Sequence, residues 1–204
     1  MYSKSIVRSF RDYQINLVIK ILIISDFIIW SSFQLFLPIF AIFITNKIVG
    51  GTIEVVGIAT ALYLLSKSIF EIPVGVFIDQ KKGERDDLYT SIVGTILTAL
   101  VYFAYIYVDQ VWQLYSLQII LGIAAAVAFP GWYSIFTRHL DKNKKAFEWS
   151  MYDVITGLGM AGAAALGGFM ADQFGFNILF TVVGILTLIG AILLLVIKKR
   201  IFTK

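Results

Sequence analysis

The sequence predicts an all-α, polytopic membrane protein with six transmembrane helices and both termini in the cytoplasm. Three observations predict this class: the composition, the lengths of the apolar runs and the placement of the basic residues. Of the 204 residues, 59% are hydrophobic and 15% are charged, whereas soluble domains carry roughly a quarter charged residues. A soluble chain of this size could not bury so much apolar surface, so we infer that it lies in lipid.

The apolar residues form six runs of membrane-spanning length. A helix needs about 20 mostly apolar residues to cross the bilayer core. The predicted spans are residues 15–44, 53–78, 88–108, 111–137, 147–170 and 176–197. They do not alternate with period two, which argues against barrel strands. Residues 15–197 are therefore expected to form one six-helix domain.

The basic residues predict the orientation of these spans. All but three of the 17 Lys and Arg residues lie before the first span or after the second, fourth and sixth. Because cytoplasmic segments of membrane proteins collect Lys and Arg, both termini are expected inside, in a cytoplasmic (inner or plasma) membrane. The basic pI therefore gives no reason to expect a nucleic-acid partner.

The two ends of the chain are basic and lie outside the spans. Residues 1–14 are predicted to form a short interfacial segment on the cytoplasmic leaflet, and a disordered basic tail fits the same residues. Residues 198–204 are predicted to be a basic cytoplasmic tail.

Polar residues within the first two spans mark candidate functional positions, because polar groups in a bilayer normally face a cavity or a partner. Asp26, Trp30 and Gln34 follow one another at intervals of four residues in the first span. Such spacing places them on one stripe of a helix. Lys67 and Glu71 are also four apart, and we interpret them as an internal ion pair that is a candidate for proton coupling.

The later spans differ in their polar content. Further candidate substrate-binding residues in the fourth span are Gln118, Phe129, Trp132 and Tyr133. The fifth span begins with Glu148 and Asp153, whereas the third and sixth spans have no charge in their interiors. This census predicts that spans one, two, four and five form an inner set and that spans three and six face lipid.

Small residues predict where helices pack closely in the membrane. Gly157, Ala161, Ala165 and Gly168 lie along one face of the fifth span, and Gly122 and Ala126 do the same in the fourth. We interpret Gly157 and Gly168, together with Gly75 in the second span, as helix-packing positions.

Two segments carry a family resemblance. Residues 71–79 read Glu-Ile-Pro-Val-Gly-Val-Phe-Ile-Asp and continue as Gln-Lys-Lys-Gly-Glu-Arg at 80–85. Residues 157–159 read Gly-Leu-Gly, and residues 167–176 read Gly-Gly-Phe-Met-Ala-Asp-Gln-Phe-Gly-Phe. Together with the basic loops, these segments resemble the signature loop and the glycine-rich helix in the N-terminal half of major facilitator superfamily transporters. The resemblance covers essentially the whole chain.

The chain departs from the family pattern at three places. One extra residue separates Asp79 from Gly83, and Gln80 stands where the family usually has a basic residue. Ala163 and Ala164 stand where the antiporter version of the helix has Gly-Pro. The last difference weakens an interpretation as a drug/proton antiporter.

The resemblance implies secondary transport by alternating access, with spans one and four lining a central cavity, two and five forming a moving interface and three and six outside. At the cytoplasmic ends, Asp79, Arg85, Arg138 and Asp153 are candidate gating residues, because such charges can form a cluster in one state and release it in the other. The alternative is that these charges anchor helix ends in the headgroups.

Six helices correspond to half of the family's twelve-helix fold, whose substrate site lies between two halves. One half alone would expose Asp26, Gln34 and Lys67 to lipid. We therefore expect a parallel homodimer or a complementary half, and a natural half-size protein and a fragment both fit the length. Two Asp26 carboxyl groups facing one cavity could not easily both ionise, which makes Asp26 a candidate for proton coupling.

The expected function is transport of a small solute, and the Asp-Trp-Gln stripe favours a polar or sugar-like one. Export of hydrophobic compounds and a non-transporting partner subunit are the alternatives. An enzyme is not expected, because the chain has one histidine, His139, and no cysteine. It also lacks a Gly-Lys-Ser/Thr phosphate loop, and no cofactor or metal is expected.

Overall fold

The computed structural model describes residues 15–81, 83–198 and 201. The regular elements in those residues are helices, with one isolated bridge between Val49 and Gln110. The α-helices are α1 (Leu17–Phe36), α2 (Phe40–Lys47), α3 (Ile53–Asp79), α4 (Arg85–Ala104), α5 (Val111–His139) and α6 (Lys145–Val196). The predicted interfacial segment 1–14 and most of the predicted tail 198–204 lie outside the described residues.

The first predicted span consists of α1 and α2, which together cover Leu17–Lys47. A 3-10 turn at Leu37–Ile39 separates them. The break is caused by Pro38, because proline lacks a backbone N–H and its ring clashes with the preceding helical turn. At the start of α1, the Asn16 side chain accepts a hydrogen bond of 2.9 Å from the Val18 N–H and so caps the helix.

Five helices in the described part of the chain are long and apolar enough to cross a membrane. The longest, α6, has 52 residues. At 1.5 Å per residue a straight helix of that length would measure about 78 Å, more than twice the roughly 30 Å of a bilayer core. Gly175 interrupts it with φ 79° and ψ 168°, a conformation that only glycine adopts readily. Gly175 divides α6 into a first arm (residues 145–174) and a second arm (residues 176–196).

The first arm of α6 runs in the same direction as α1. Near its beginning, Tyr152 hydrogen-bonds Asp26. Near its end, Gly167 packs directly against the backbone of Leu35. Residue numbers therefore increase together along the two helices.

The second arm runs in the opposite direction along the same helix. The Thr187 and Ser32 hydroxyl groups are 2.9 Å apart, and Ser25 donates a hydrogen bond of 2.9 Å to the Gly190 carbonyl. Here the numbers on the second arm rise as those on α1 fall. The chain therefore reverses at Gly175, and the two arms lie antiparallel, as the predicted fifth and sixth spans would.

Two clusters of buried apolar side chains hold the bundle together at its two ends. The cluster at the predicted outer end contains Phe36, Tyr105 and Phe180, and the rings of Tyr105 and Phe180 stack with centroids 5.1 Å apart. The cluster at the predicted cytoplasmic end contains Leu22 and Phe136. The cavity described below lies between these clusters and is lined in part by members of both.

The expected division into inner and outer spans is only partly right. Within one chain, α3 is the least covered of the membrane-length helices. In its most apolar stretch of 18 residues, 11% is buried, against 39–44% in the corresponding stretches of the other helices. Helix α4 and the second arm each expose one apolar face, but their opposite faces are buried in the bundle. The prediction for these two spans was based on charged residues, whereas the polar groups on their inward faces are uncharged Ser and Thr hydroxyls.

Candidate functional site

A cavity of about 320 Å³ lies between α1, α3, α4, α5 and the second arm of α6. Its lining residues are Asp26, Ile29, Trp30, Phe33, Tyr63, Lys67, Ser91, Thr95, Thr98, Tyr102, Leu121, Ala125, Ala128, Phe129, Trp132, Thr187 and Leu194. Of these residues, two carry a formal charge, Asp26 and Lys67. The volume is within the roughly 300–1,000 Å³ typical of small-molecule sites.

Asp26 is the buried charged group of this cavity, with 7% of its surface exposed. The Tyr152 hydroxyl donates a hydrogen bond of 2.9 Å to Oδ2 of Asp26, and Trp30 lines the cavity one helical turn further along α1. Among the described residues, no ion pair joins Asp26 to a basic side chain. The carboxyl group therefore rests on the neutral Tyr152 hydroxyl and has no counter-ion among those residues.

The charge of Lys67, the other charged residue of the lining, is balanced by an ion pair. Its Nζ lies 3.4 Å from Oε2 of Glu71 and 5.1 Å from the centre of the Phe129 ring. The predicted ion pair is thus present, because residues four apart face the same side of a helix. Glu71 does not line the cavity itself.

The hydroxyl groups of the lining are bonded to the helices that carry them. Ser91, Thr95, Thr98 and Thr187 each donate a hydrogen bond of 2.7–2.9 Å to the backbone carbonyl four residues earlier. Such bonds satisfy the hydroxyl inside the membrane and use its one donor. A solute in the cavity would therefore find few free hydrogen-bond donors on α4 and the second arm.

Aromatic rings form the wall of the cavity near the predicted cytoplasmic end. The Trp132 ring stacks on Phe136 with centroids 4.8 Å apart and lies 5.1 Å from Tyr152. Phe129 stacks against Trp132 at 6.5 Å. These contacts fix the rings and present their faces and edges to the cavity.

Three of the predicted binding residues do not line this cavity: Gln34, Gln118 and Tyr133. An interval of four residues advances a helix by about 40° beyond a full turn. Gln34 is therefore rotated by about 80° from Asp26, and Phe33 takes its place in the lining. Gln118 is buried elsewhere in the bundle and Tyr133 is 47% exposed.

The predicted gating charges pair differently from the expectation. Arg138 lies 3.3 Å from Oδ2 of Asp87 and donates a hydrogen bond of 2.9 Å to the Gly83 carbonyl. Ser134 donates to the same Asp87 oxygen at 2.8 Å. Arg138 therefore joins the loop after α3 to the start of α4 and the end of α5.

The expected partners of Arg138 lie elsewhere. Asp79 and Asp153 are exposed, and Arg138 pairs with Asp87 in their place. Arg85 is also exposed, in the first turn of α4. Asp87 was missed as a site residue because a carboxylate in a first helical turn usually complements the helix dipole. Its complete burial under the end of α5 depends on tertiary packing.

Gly75, Gly157 and Gly168 make no close helix contact with the part of the chain that the structure describes. A Cβ atom on any of them would meet nothing within 4 Å. By contrast, a Cβ on Gly122 would collide with Ser66 and the α3 backbone. These three glycines of the second and fifth spans are therefore left facing outward, whereas Gly167 packs against α1.

In residues 15–81, 83–198 and 201, no group of three or more His, Asp or Glu side chains is placed so that it could hold a metal ion.

Comparison with known proteins agrees with this architecture. The family model described as the Major Facilitator Superfamily matches residues 22–201. An uncharacterized MFS-type transporter of Bacillus subtilis (strain 168), YitZ, is 24% identical over 163 residues, which are 79% of this chain and 95% of that protein.

The fold also matches a solved structure, the in meso crystal structure of the POT family transporter PepTSo. The match has a TM-score of 0.71 at 15% identity and covers 93% of this chain. It covers 39% of that transporter, so the chain spans well under half of its length. With a family model that matches residues 22–201, the chain belongs to the major facilitator superfamily.

Proposed function

We propose that the chain is a half-size secondary transporter that moves a small solute across the membrane by alternating access. One observation supports this most strongly: a cavity of about 320 Å³ inside a membrane-length helix bundle contains a buried carboxyl group, Asp26. A buried charge in a membrane domain is costly and typically belongs to a substrate or ion pathway. The family membership supports the same class of function.

We further propose that two copies assemble as a parallel homodimer, or one copy with a complementary half. The outward small residues of α3 and of the first arm support this, since Gly75, Gly157 and Gly168 have open space in front of them. Close packing of helices in lipid requires such residues. The relative in Bacillus subtilis supports a half-size protein, because 163 aligned residues are 95% of its length.

Asp26 is the proposed site of proton coupling. A carboxyl group that faces a cavity and rests on a neutral donor can bind a proton in one state and release it in another. Among the described residues, the charged and titratable groups around it are Tyr152 and Asp153 on α6, Tyr63, Lys67 and Glu71 on α3, and Tyr102 on α4. Because Lys67 and Glu71 form their own pair, they are proposed to tune the site rather than to carry the proton.

The cavity favours hydrophobic solutes over the sugar-like ones that the sequence suggested. Gln34 and Gln118 do not line it, and the lining hydroxyls donate to backbone carbonyls. Sugar binding depends on many free donors and acceptors, and leaving a buried polar group unpaired costs roughly 1–3 kcal/mol. Export or uptake of a largely apolar compound is therefore the substrate class that we propose.

The test is transport by the purified protein in proteoliposomes that contain a pH-sensitive dye. Addition of hydrophobic test compounds, screened singly, should produce uptake coupled to proton movement. Asp26→Asn should abolish the proton movement, whereas Asp172→Asn, which removes an exposed carboxyl group outside the cavity, should not. Compound flux without proton movement in the unmodified protein would contradict the coupling, and no flux of any compound would support a non-transporting subunit.

A further inference from the structure

The charge balance of the cavity identifies a narrower ligand class, within the proposed function. Of the two charged lining residues, Lys67 is paired with Glu71 at 3.4 Å. Asp26 has a hydrogen-bond donor but no basic partner among the described residues. The cavity therefore carries one uncompensated negative charge when Asp26 is ionised.

The walls around that charge suit a cation with an apolar surface. Trp30, Phe129 and Trp132 line the cavity together with Tyr63 and Tyr102. Aromatic faces attract cations, and the attraction is stronger where water is excluded. The chain already uses this contact once in the cavity, since the Lys67 ammonium group lies 5.1 Å from the Phe129 ring centre.

A ligand with a strongly hydrated cationic group fits less well. Each of its N–H donors would need an acceptor, and beside the Asp26 carboxyl group and a few hydroxyl oxygens the lining is mostly apolar and aromatic. An anion would meet Asp26 and would have to displace Glu71 from Lys67. A weakly hydrated monocation pays the smallest desolvation cost and needs one counter-ion.

We propose that this cavity binds a hydrophobic organic monocation, with the Asp26 carboxylate as its counter-ion and the aromatic rings as its wall. Tyr152 acts as a positioning residue, because its hydrogen bond of 2.9 Å holds the carboxyl group at the edge of the cavity. This inference rests on the proposed function, in that the ligand is taken to be the transported solute.

The experiment measures binding, so that its outcome is independent of transport. The full chain in lipid nanodiscs is titrated with tetraphenylphosphonium, a permanent lipophilic cation, and with tetraphenylborate, an anion of nearly the same shape. Binding is followed by equilibrium dialysis at a pH well above neutral. The cation should bind in a saturable manner, and the anion should show only the non-saturable partitioning seen with empty nanodiscs.

Three variants assign the binding to the cavity. Asp26→Asn should weaken cation binding by about tenfold or more, as expected for loss of a charge-assisted contact, and Asp172→Asn should leave it unchanged. Lys67→Met should strengthen it, since it removes a positive charge from the cavity lining and leaves the Glu71 carboxylate unpaired beside it. Because this variant keeps Asp26, it also shows whether an altered cavity still folds and binds.

Two results would overturn the inference. One is equal binding of the cation by the unmodified protein and by Asp26→Asn, and the other is loss of binding in Lys67→Met, which would indicate a site for an anion or a zwitterion. Either result leaves the transport assay to decide the proposed function. Conversely, selective cation binding in a protein that transports nothing supports this inference and contradicts the proposed function.

Discussion

At the residue scale, three carboxyl-bearing side chains are buried in the described part of the chain, and each has a different main partner. Asp26 accepts from Tyr152 and faces the cavity, whereas Asp87 is paired with Arg138. Glu148 accepts a hydrogen bond of 3.0 Å from the backbone N–H of Asp141. Because a buried charge is costly unless it is compensated, we propose a ligand-binding role for Asp26, which has no cationic partner among the described residues and faces the cavity.

The Asp87–Arg138 pair gives a prediction about stability. Arg138→Gln leaves the fully buried Asp87 carboxyl group with Ser134 as its remaining side-chain partner, so we expect a loss of about 1–3 kcal/mol, below that of a fully buried pair because Arg138 is partly exposed. Asp87→Asn in the same protein should recover part of that loss. Unfolding of the single and double variants in detergent measures the coupling.

Additive effects of the two substitutions on the free energy of unfolding would contradict this prediction. If the two substitutions destabilise the protein independently, the contact contributes no coupling free energy. The charges at this end would then act as separate headgroup anchors, which is the alternative left open by the sequence.

At the element scale, the positions of the helices along the chain were predictable from the sequence, but the side of each helix that faces the cavity was not. Span length and apolar content are local properties, so residues 53–78 and 111–137 were assigned within a few residues of α3 and α5. Gly175 belonged to a predicted break and is where the chain reverses. Which side of each helix faces the cavity depends on neighbours far along the chain.

The first span illustrates the difference. Its stripe correctly placed Asp26 and Trp30 at the cavity, but Gln34 has rotated out of the lining and Phe33 has replaced it. Likewise, Tyr152 was not singled out, because nothing local in the fifth span indicates its partner on α1. The rotation of about 40° for every four residues accounts for the displacement of Gln34 from the cavity lining.

Helix crossings give a second prediction about stability. Gly122→Ala places a methyl group against Ser66 and the α3 backbone, so we expect α3 to be displaced from α5 at a cost of about 1–3 kcal/mol. Gly162→Ala is the matched control, since a Cβ there meets nothing within 4 Å. Thermal unfolding of the purified protein in detergent should show a lower Tm for Gly122→Ala alone. An unchanged Tm for Gly122→Ala would contradict the close crossing.

At the scale of the whole molecule, α3 and the first arm of α6 each leave one apolar face uncovered within the described bundle. Ile69 on α3 is 64% exposed, and Leu158 on the first arm is 71% exposed. Such faces could simply contact lipid, but their glycines and the half-size match to a solved transporter favour contact with a second half. In a two-fold dimer that packs α3 of one copy against the first arm of the partner copy, the same contact occurs twice, once on each side of the axis.

Cysteine cross-linking tests this central claim most directly, because the sequence contains no cysteine. Two differently tagged copies, one with Ile69→Cys and one with Leu158→Cys, are co-expressed and oxidised in native membranes. We expect a disulfide-linked pair that carries both tags. Co-expression of Ile69→Cys with Ile185→Cys, which lies 47% exposed on the second arm, should give none. Equal cross-linking of the two combinations, or none in either, would contradict an assembly of two halves through these faces.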